Sequence, residues 1–268
     1  MTVRWLAESF DHGQLAARVG RDGDRLVADW TGRGRLSVNG DGDDLAFEAY
    51  PGADPLDVDK LQRGAVKLLL AHLRGKIPLH ASAVALGDRA VVFVAGSNLG
   101  KSTLAAVLCE QAGASLLGDD AVVIERRDDG FHVVALDERH WLDEASARAL
   151  GRTTDAAQKV PLEPRRADVK SARLALVVHL TFSDASDEVR FVPVLGLDAI
   201  AGLLAQLTRF VVDDPAVARR DLATLADLVD RTRIVRLERP RQLALLRSTA
   251  EAVADCAALA ALVTGETS

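Results

Sequence analysis

Residue types that handle phosphate chemistry fall close together near the middle of the chain: Lys101 followed by Ser102, then two adjacent carboxylates, Asp119 and Asp120. The lysine closes a polar loop, and Gly96, Ser97, Asn98, Leu99, Gly100, Lys101, Ser102 and Thr103 together read GSNLGKST. Where such a loop empties into a helix, the first-turn amides have no internal partner and carry partial positive charge, so they bind oxyanions. The lysine then reaches the terminal phosphates as a point charge, and the hydroxyl behind it ligates Mg²⁺. Carboxylates at a strand end beside the loop hold Mg²⁺ or take a proton from an attacking hydroxyl. Gly118, Asp119 and Asp120 are also ordinary turn residues. Their position between two apolar strands, directly after a phosphate loop, favours the chemical reading.

The flanking elements decide whether the loop is real. Residues 90–95 are an apolar, largely β-branched run that reads as a buried strand. Leu104, Val107 and Leu108 fall at helical spacing, so a helix runs over 101–111. Two positions depart from the strict G-x-x-x-x-G-K-[ST] pattern: Ala95 stands at the first glycine and Asn98 where relatives often carry a second one. Asn tolerates left-handed backbone better than other non-glycine residues, whereas the Ala95 methyl threatens to crowd the loop entrance.

Three segments, LHASAVAL (79–86), VAGSNLGKSTLA (94–105) and LLGDDAVVIE (116–125), resemble in order and spacing the catalytic domain of the HPr serine kinase and phosphorylase family. They resemble more closely its smaller HPr-kinase-like relatives, some of which act in peptide natural-product pathways. The resemblance is firm over 79–125, looser to about residue 248, and absent from the N-terminal part. It implies phosphate and metal roles for Lys101 and Ser102, Asp120 as proton acceptor, Asp119 as its metal or orienting partner, and His80 as an active-site residue. It also implies a basic or carboxylate residue beyond the aspartate pair and homo-oligomeric assembly. Glu138 and Arg139 are weak candidates for that residue, and Lys159, in a polar stretch over 152–171 read as a closing loop, is the candidate transition-state cation.

Composition sets outer limits. The chain has 268 residues, 49% hydrophobic and 27% charged, with a net charge of −6. No bulk positive field draws it to nucleic acid or to an acidic membrane. Cys109 and Cys256, far apart on helical segments, read as reduced packing residues. The opening MTVRWLAESF lacks a signal-peptide core, and no apolar run is long enough to span a bilayer, so the expected location is cytoplasmic.

Elsewhere, four strand-like pieces separated by glycine-bearing turns occupy residues 1–55 and read as a small antiparallel β unit. A helix follows over 57–73. Gly87 turns the 79–86 strand into the loop strand as a hairpin, so the sheet is mixed. Further expectations are a short helix over 141–150, a central strand over 174–182 with a hairpin partner over 188–195, and helices over 197–207 and 215–229. A last strand over 233–237 and an alanine–leucine helix packed on the core complete the reading.

The expected architecture is therefore α/β: a mixed twisted sheet with flanking helices of the HPr kinase/PEP carboxykinase-like kind over 56–268, after the β unit of 1–55. The expected function is ATP- and Mg²⁺-dependent transfer of a phosphoryl group to a hydroxyl on a protein, a peptide or a small metabolite. The alternative, favoured by Ala95, is a non-catalytic nucleotide-binding regulatory module. An ABC-type or switch ATPase lacks its signature sequences.

Overall fold

The computed structural model describes residues 2–11, 13–136, 139–151, 160–164, 168–183 and 188–264. Contacts divide the chain into two units, one of Met1–Pro78 with Thr208–Ala223 and one of Leu79–Leu207 with Thr224–Ser268.

The first unit carries a five-stranded antiparallel meander, β1 (Arg4–Asp11), β2 (Gln14–Asp22), β3 (Arg25–Trp30), β4 (Gly34–Val38) and β5 (Leu45–Ala49). Leu26, Ala28, Trp30, Leu36 and Val38 form its buried side. The sequence pattern predicted four strands. The fifth, β2, is rich in Ala and Arg and has weak intrinsic strand character, but it pairs along its length with β1 and β3. Gly20 is required there, since a Cβ would lie 2.5 Å from the Arg4 carbonyl oxygen. The expected helix of 57–73 appears as α1 (Pro55–Leu61) and α2 (Lys67–Leu73), joined by a π-helical turn at Gln62–Val66. Its contacts group it, with 208–223, alongside the strands that precede it. A buried pair closes this unit. His72 Nε2 lies 2.8 Å from Asp221 Oδ2, and His72 Nδ1 accepts from the Phe210 amide at 3.3 Å. An accepting Nδ1 carries no proton, so the ring is neutral, in keeping with the burial that holds its pKa below the ordinary value.

The second unit is built on a mixed sheet, as the hairpin at Gly87 requires. After β6 (Ile77–Leu79) come β7 (Ala81–Leu86) and β8 (Arg89–Val94), which pair antiparallel. Then follow α3 (Lys101–Gln111), β9 (Ser115–Gly118), β10 (Val122–Arg127), β11 (Gly130–Val134), β12 (His140–Leu142), α4 (Glu144–Ala149) and β13 (Val160–Leu162). The chain ends with β14 (Ser171–Phe182), β15 (Arg190–Pro193), α5 (Gly196–Leu204), α6 (Pro215–Arg231), β16 (Arg233–Arg239) and α7 (Leu246–Thr264). The central strand β14 runs parallel to β8 on one side and parallel to β16 on the other. All three deliver their C-terminal ends to one edge, where open α/β sheets bind ligands.

Three expectations are corrected here. The 188–195 strand is not the hairpin partner of β14. β15 pairs antiparallel with β16, because β16 already occupies the edge of β14 that a hairpin would need. The 141–150 segment is not one helix: Trp141 lies in β12, paired with β13, and α4 begins only where the Asp143 side chain caps the Ser146 amide at 2.8 Å. β13 also places a strand inside the stretch read as a structureless loop. Lys159 and Glu138, like Arg165 and Arg166, lie outside the described residues.

α3 is buried on nearly every side, not on a stripe, with Leu104, Ala105, Val107, Leu108 and Cys109 in the main core. Leu246, Ala250, Val253, Cys256 and Ala257 of α7 join the same cluster, as the core-packing reading expected. Both cysteines are free, and burial drives the Cys109 thiol up to about 12. Among the described residues no helix is long and apolar enough to cross a membrane.

Candidate functional site

The strand–loop–helix unit forms as the spacing predicts. β8 ends at Val94, the loop occupies 95–100, and α3 starts at Lys101. Gly100 is required as glycine by its φ of +82°, and a Cβ there would also displace the Arg239 Nη2, which lies 2.5 Å away. Asn98 adopts φ +61°, the left-handed conformation its type predicts, so the missing second glycine costs little. Ala95 takes no such conformation. It is part of the main hydrophobic cluster with Phe93 and Leu104, so its methyl packs inward and does not crowd the loop.

Lys101 is buried, and its ammonium donates to the carbonyl oxygens of Ala95 at 2.9 Å and Gly96 at 3.2 Å. The Gln206 side-chain amide, oriented to donate, reaches Ala95 O at 3.1 Å and His80 O at 3.3 Å. The loop entrance is thereby tied to the segment that carries His80.

The aspartate pair sits in a tight turn between β9 and β10. A Cβ on Gly118 would lie 2.3 Å from Ala121 O, so the turn closes only around glycine. The turn reading holds. Asp119 points inward and is 1% exposed. Its Oδ1 accepts from Ser82 Oγ at 2.5 Å and from the Asp120 amide at 3.1 Å, and its Oδ2 accepts from the Trp141 amide at 2.7 Å. Burial, and then the neighbouring Asp120 charge, push its carboxyl above the ordinary range, while Ser82, the Trp141 amide and Ser102 pull the other way. Asp120 takes φ +63°. Among the described residues Asn98 and Asp120 are the non-glycine positions with left-handed backbone, and both line one cleft. Such strain persists where surrounding structure enforces it, typically at functional sites. His80 Nδ1 donates to Asp120 O at 3.1 Å, and its own amide donates to Gln206 O at 2.9 Å.

These residues meet. A cleft of about 220 Å³ is lined by His80, the loop residues Ser97, Asn98, Leu99 and Gly100, then Lys101, Ser102, Thr103 and Asp120. Trp141, Leu142, Asp143 and Ser146 close its far side. The structure therefore brings together His80, Lys101, Ser102 and Asp120, with Asp119 directly beneath and Gly96 at the loop entrance. Arg139 stands apart from the cleft lining, its guanidinium 6.0 Å from the Trp141 ring centroid.

Sequence reasoning missed several contributors. Ser82 lies two residues past His80, a period-2 spacing that places both on one side of an extended chain and was available as a signal. Thr103 Oγ1 and Ser146 Oγ are 2.7 Å apart, which ties the first turn of α3 to α4. No local pattern announces that contact. The Ser82 bond is the one most readily tested for its structural share. Ser82→Ala removes a donor from a buried carboxyl and is expected to lower stability by about 1.5–3 kcal/mol. Chemical denaturation checks this, and a loss under about 0.5 kcal/mol, the range of an ordinary surface change, contradicts it.

No family model matches the chain, and no curated protein does. Among solved structures, the HPr(Ser) kinase/phosphatase from Coxiella burnetii is similar at 11% sequence identity and a TM-score of 0.38, covering 66% of this chain and 95% of that one.

Proposed function

We propose that the second unit binds a nucleoside triphosphate with Mg²⁺ at the 96–103 loop and transfers its terminal phosphoryl group to a hydroxyl. The observation that carries this reading is a single cleft in which the start of α3, Lys101 and Ser102 face Asp120, while Asp119 is fixed behind it by three hydrogen bonds.

The residues fit the groups invoked. The loop offers first-turn amides, a positive-φ Gly100 and a buried ammonium, which suits a polyphosphate. Among the described residues no cluster of three or more His, Cys, Asp or Glu stands ready to cage a metal. Magnesium takes one or two carboxylates and completes its shell with phosphate and water. Ser102 and Asp120 would hold it, and the bound ion would neutralise charge on the transferring group. Asp119 has both oxygens engaged already, and Ser102 is among the groups that lower its pKa. Its role is to orient Ser102 and the Asp120 turn.

Phosphoryl transfer is largely a matter of positioning and charge stabilisation. Lys101 balances charge on the terminal phosphates. Asp120 accepts the proton of the attacking hydroxyl as that oxygen bonds to phosphorus and the bond to the leaving phosphate oxygen breaks. His80 holds the Asp120 backbone from behind, which aims the carboxylate into the cleft. The resemblance to HPr-kinase-like proteins in residues 79–125 supports the same roles and extends the acceptor class to a serine in a protein or peptide, or a small hydroxyl metabolite. The inward packing of Ala95 speaks against the crowding on which a purely regulatory reading rests.

The test is direct. ADP formation from Mg-ATP is followed with and without candidate hydroxyl peptides and metabolites. Acceptor-dependent ADP release with phosphate recovered on the acceptor is the expected result. Nucleotide binding with no transfer to any of them returns the protein to the regulatory class.

A further inference from the structure

A second cavity, of about 340 Å³, adjoins the first at the same loop. It shares Asn98, Gly100, Thr103, Asp143 and Ser146 with the first cleft but contains none of Lys101, Ser102 and Asp120, and its remaining walls include Phe182, Arg239, Arg241, Gln242, Leu243 and Leu246. Three parallel strands create it: β8 leads into the loop, β14 ends at Phe182, and β16 ends at Arg239 directly opposite Phe182 in the register.

Arg239 is the unusual member. It is 4% exposed, yet among the described residues no carboxylate pairs with it, and its Nε has no hydrogen-bond partner. Its Nη2 donates to Leu99 O at 3.0 Å, and the guanidinium lies 4.6 Å from the Phe182 ring centroid. Burial lowers its pKa. A buried guanidinium with no carboxylate partner among the described residues, beside an oxyanion-binding loop, is complementary to an anion. Arg241, on the exposed rim, stands 5.0 Å from the same ring, and Leu243 beside it is 57% exposed.

The direction of a bound polyphosphate follows from the loop itself. The lysine reaches the β- and γ-phosphates and the hydroxyl takes the metal, while the backbone amides hold the α- and β-phosphates. The terminal phosphate thus lies on the Lys101, Ser102 and Asp120 side. The α-phosphate and nucleoside leave away from those three residues, past Gly100 and Thr103, which line both spaces, into the second cavity. We infer that this cavity is the nucleoside subsite, with Arg239 holding the phosphate nearest the sugar and the base lying against Phe182 and Arg241 over Leu243 and Leu246. The inference rests on the phosphate-loop reading and adds to it which residues distinguish a nucleotide from bare polyphosphate.

The experiment compares Mg-ATP with Mg-tripolyphosphate, by calorimetry, on wild type, Phe182→Ala and Arg241→Gln. The wild type is expected to bind Mg-ATP more tightly than Mg-tripolyphosphate. Each variant is expected to lose about ten-fold toward Mg-ATP, the scale of one lost base-stacking contact, and to keep its tripolyphosphate affinity within about two-fold. Arg241 is exposed, so its variant reports on binding even if Phe182→Ala disturbs folding. Failure of the wild type to bind either probe overturns the phosphate-loop reading itself. Binding of both probes with equal affinity leaves that reading standing and overturns the subsite. So does an Arg241→Gln protein that binds Mg-ATP as the wild type does, or that weakens both probes alike.

Discussion

Lys101→Ala lowers the affinity for Mg-ATP by about ten-fold or more, the expected loss for one charge-assisted contact of about 1.5–3 kcal/mol. The structure makes the substitution a cleaner probe than burial alone suggests. Lys101 Nζ is held by Ala95 O and Gly96 O, so its removal strips a donor from two carbonyls. Ala95 O keeps a second donor within reach, the Gln206 amide at 3.1 Å. The start of α3 remains fixed from other directions, by Arg239 on Leu99 O and by Thr103 against Ser146. The variant is therefore expected to stay folded, with its denaturation midpoint close to that of the wild type, while losing nucleotide. Equal affinity in the two proteins contradicts the phosphate assignment, and so does a wild type that binds no nucleotide at all.

How much of this was legible in the chain depends on the distance over which each contact forms. The strand of 90–95, the GSNLGKST loop and the helix of 101–111 are local: hydrophobic period, glycine placement and helix start all lie within one short window, and β8 and α3 form where that window puts them. Asn98 was readable for the same reason, because its left-handed φ of +61° is a property of its own residue type. Asp119 and Asp120 were readable as a pair, but their division of labour was not. That division depends on Ser82 from β7 and the Trp141 amide from β12, contacts from opposite directions in sequence. Arg239 and Phe182 are the extreme case. They reach the loop only because β16 and β8 flank β14 in parallel, and the sequence pattern instead assigned the β14 edge to the strand after it. Parallel pairing between distant strands leaves no turn signal to read.

The largest effect is expected at Asp120. Asp120→Asn keeps the side chain's size and its capacity to bind a neighbouring hydroxyl, but removes its ability to take a proton. Three features make it conservative toward the fold. Asn tolerates left-handed backbone as Asp does, so φ +63° imposes no new strain. The bond from His80 Nδ1 ends on the Asp120 carbonyl oxygen, which the substitution leaves in place. Asp119, with its own three hydrogen bonds, continues to anchor the turn. A general base contributes at the transition state and little to donor binding, so turnover should fall by about 10²–10⁴-fold while Mg-ATP still binds. Some weakening of Mg-ATP is expected as well, since Asp120 is also assigned to the metal, and titration at several Mg²⁺ concentrations separates that share from the loss of turnover. Phosphoryl transfer to the best acceptor, measured at saturating Mg-ATP, reads the effect. A variant that transfers phosphate at the wild-type rate removes Asp120 from the reaction and leaves the cleft without a base, because Asp119 is buried and fully engaged beneath it.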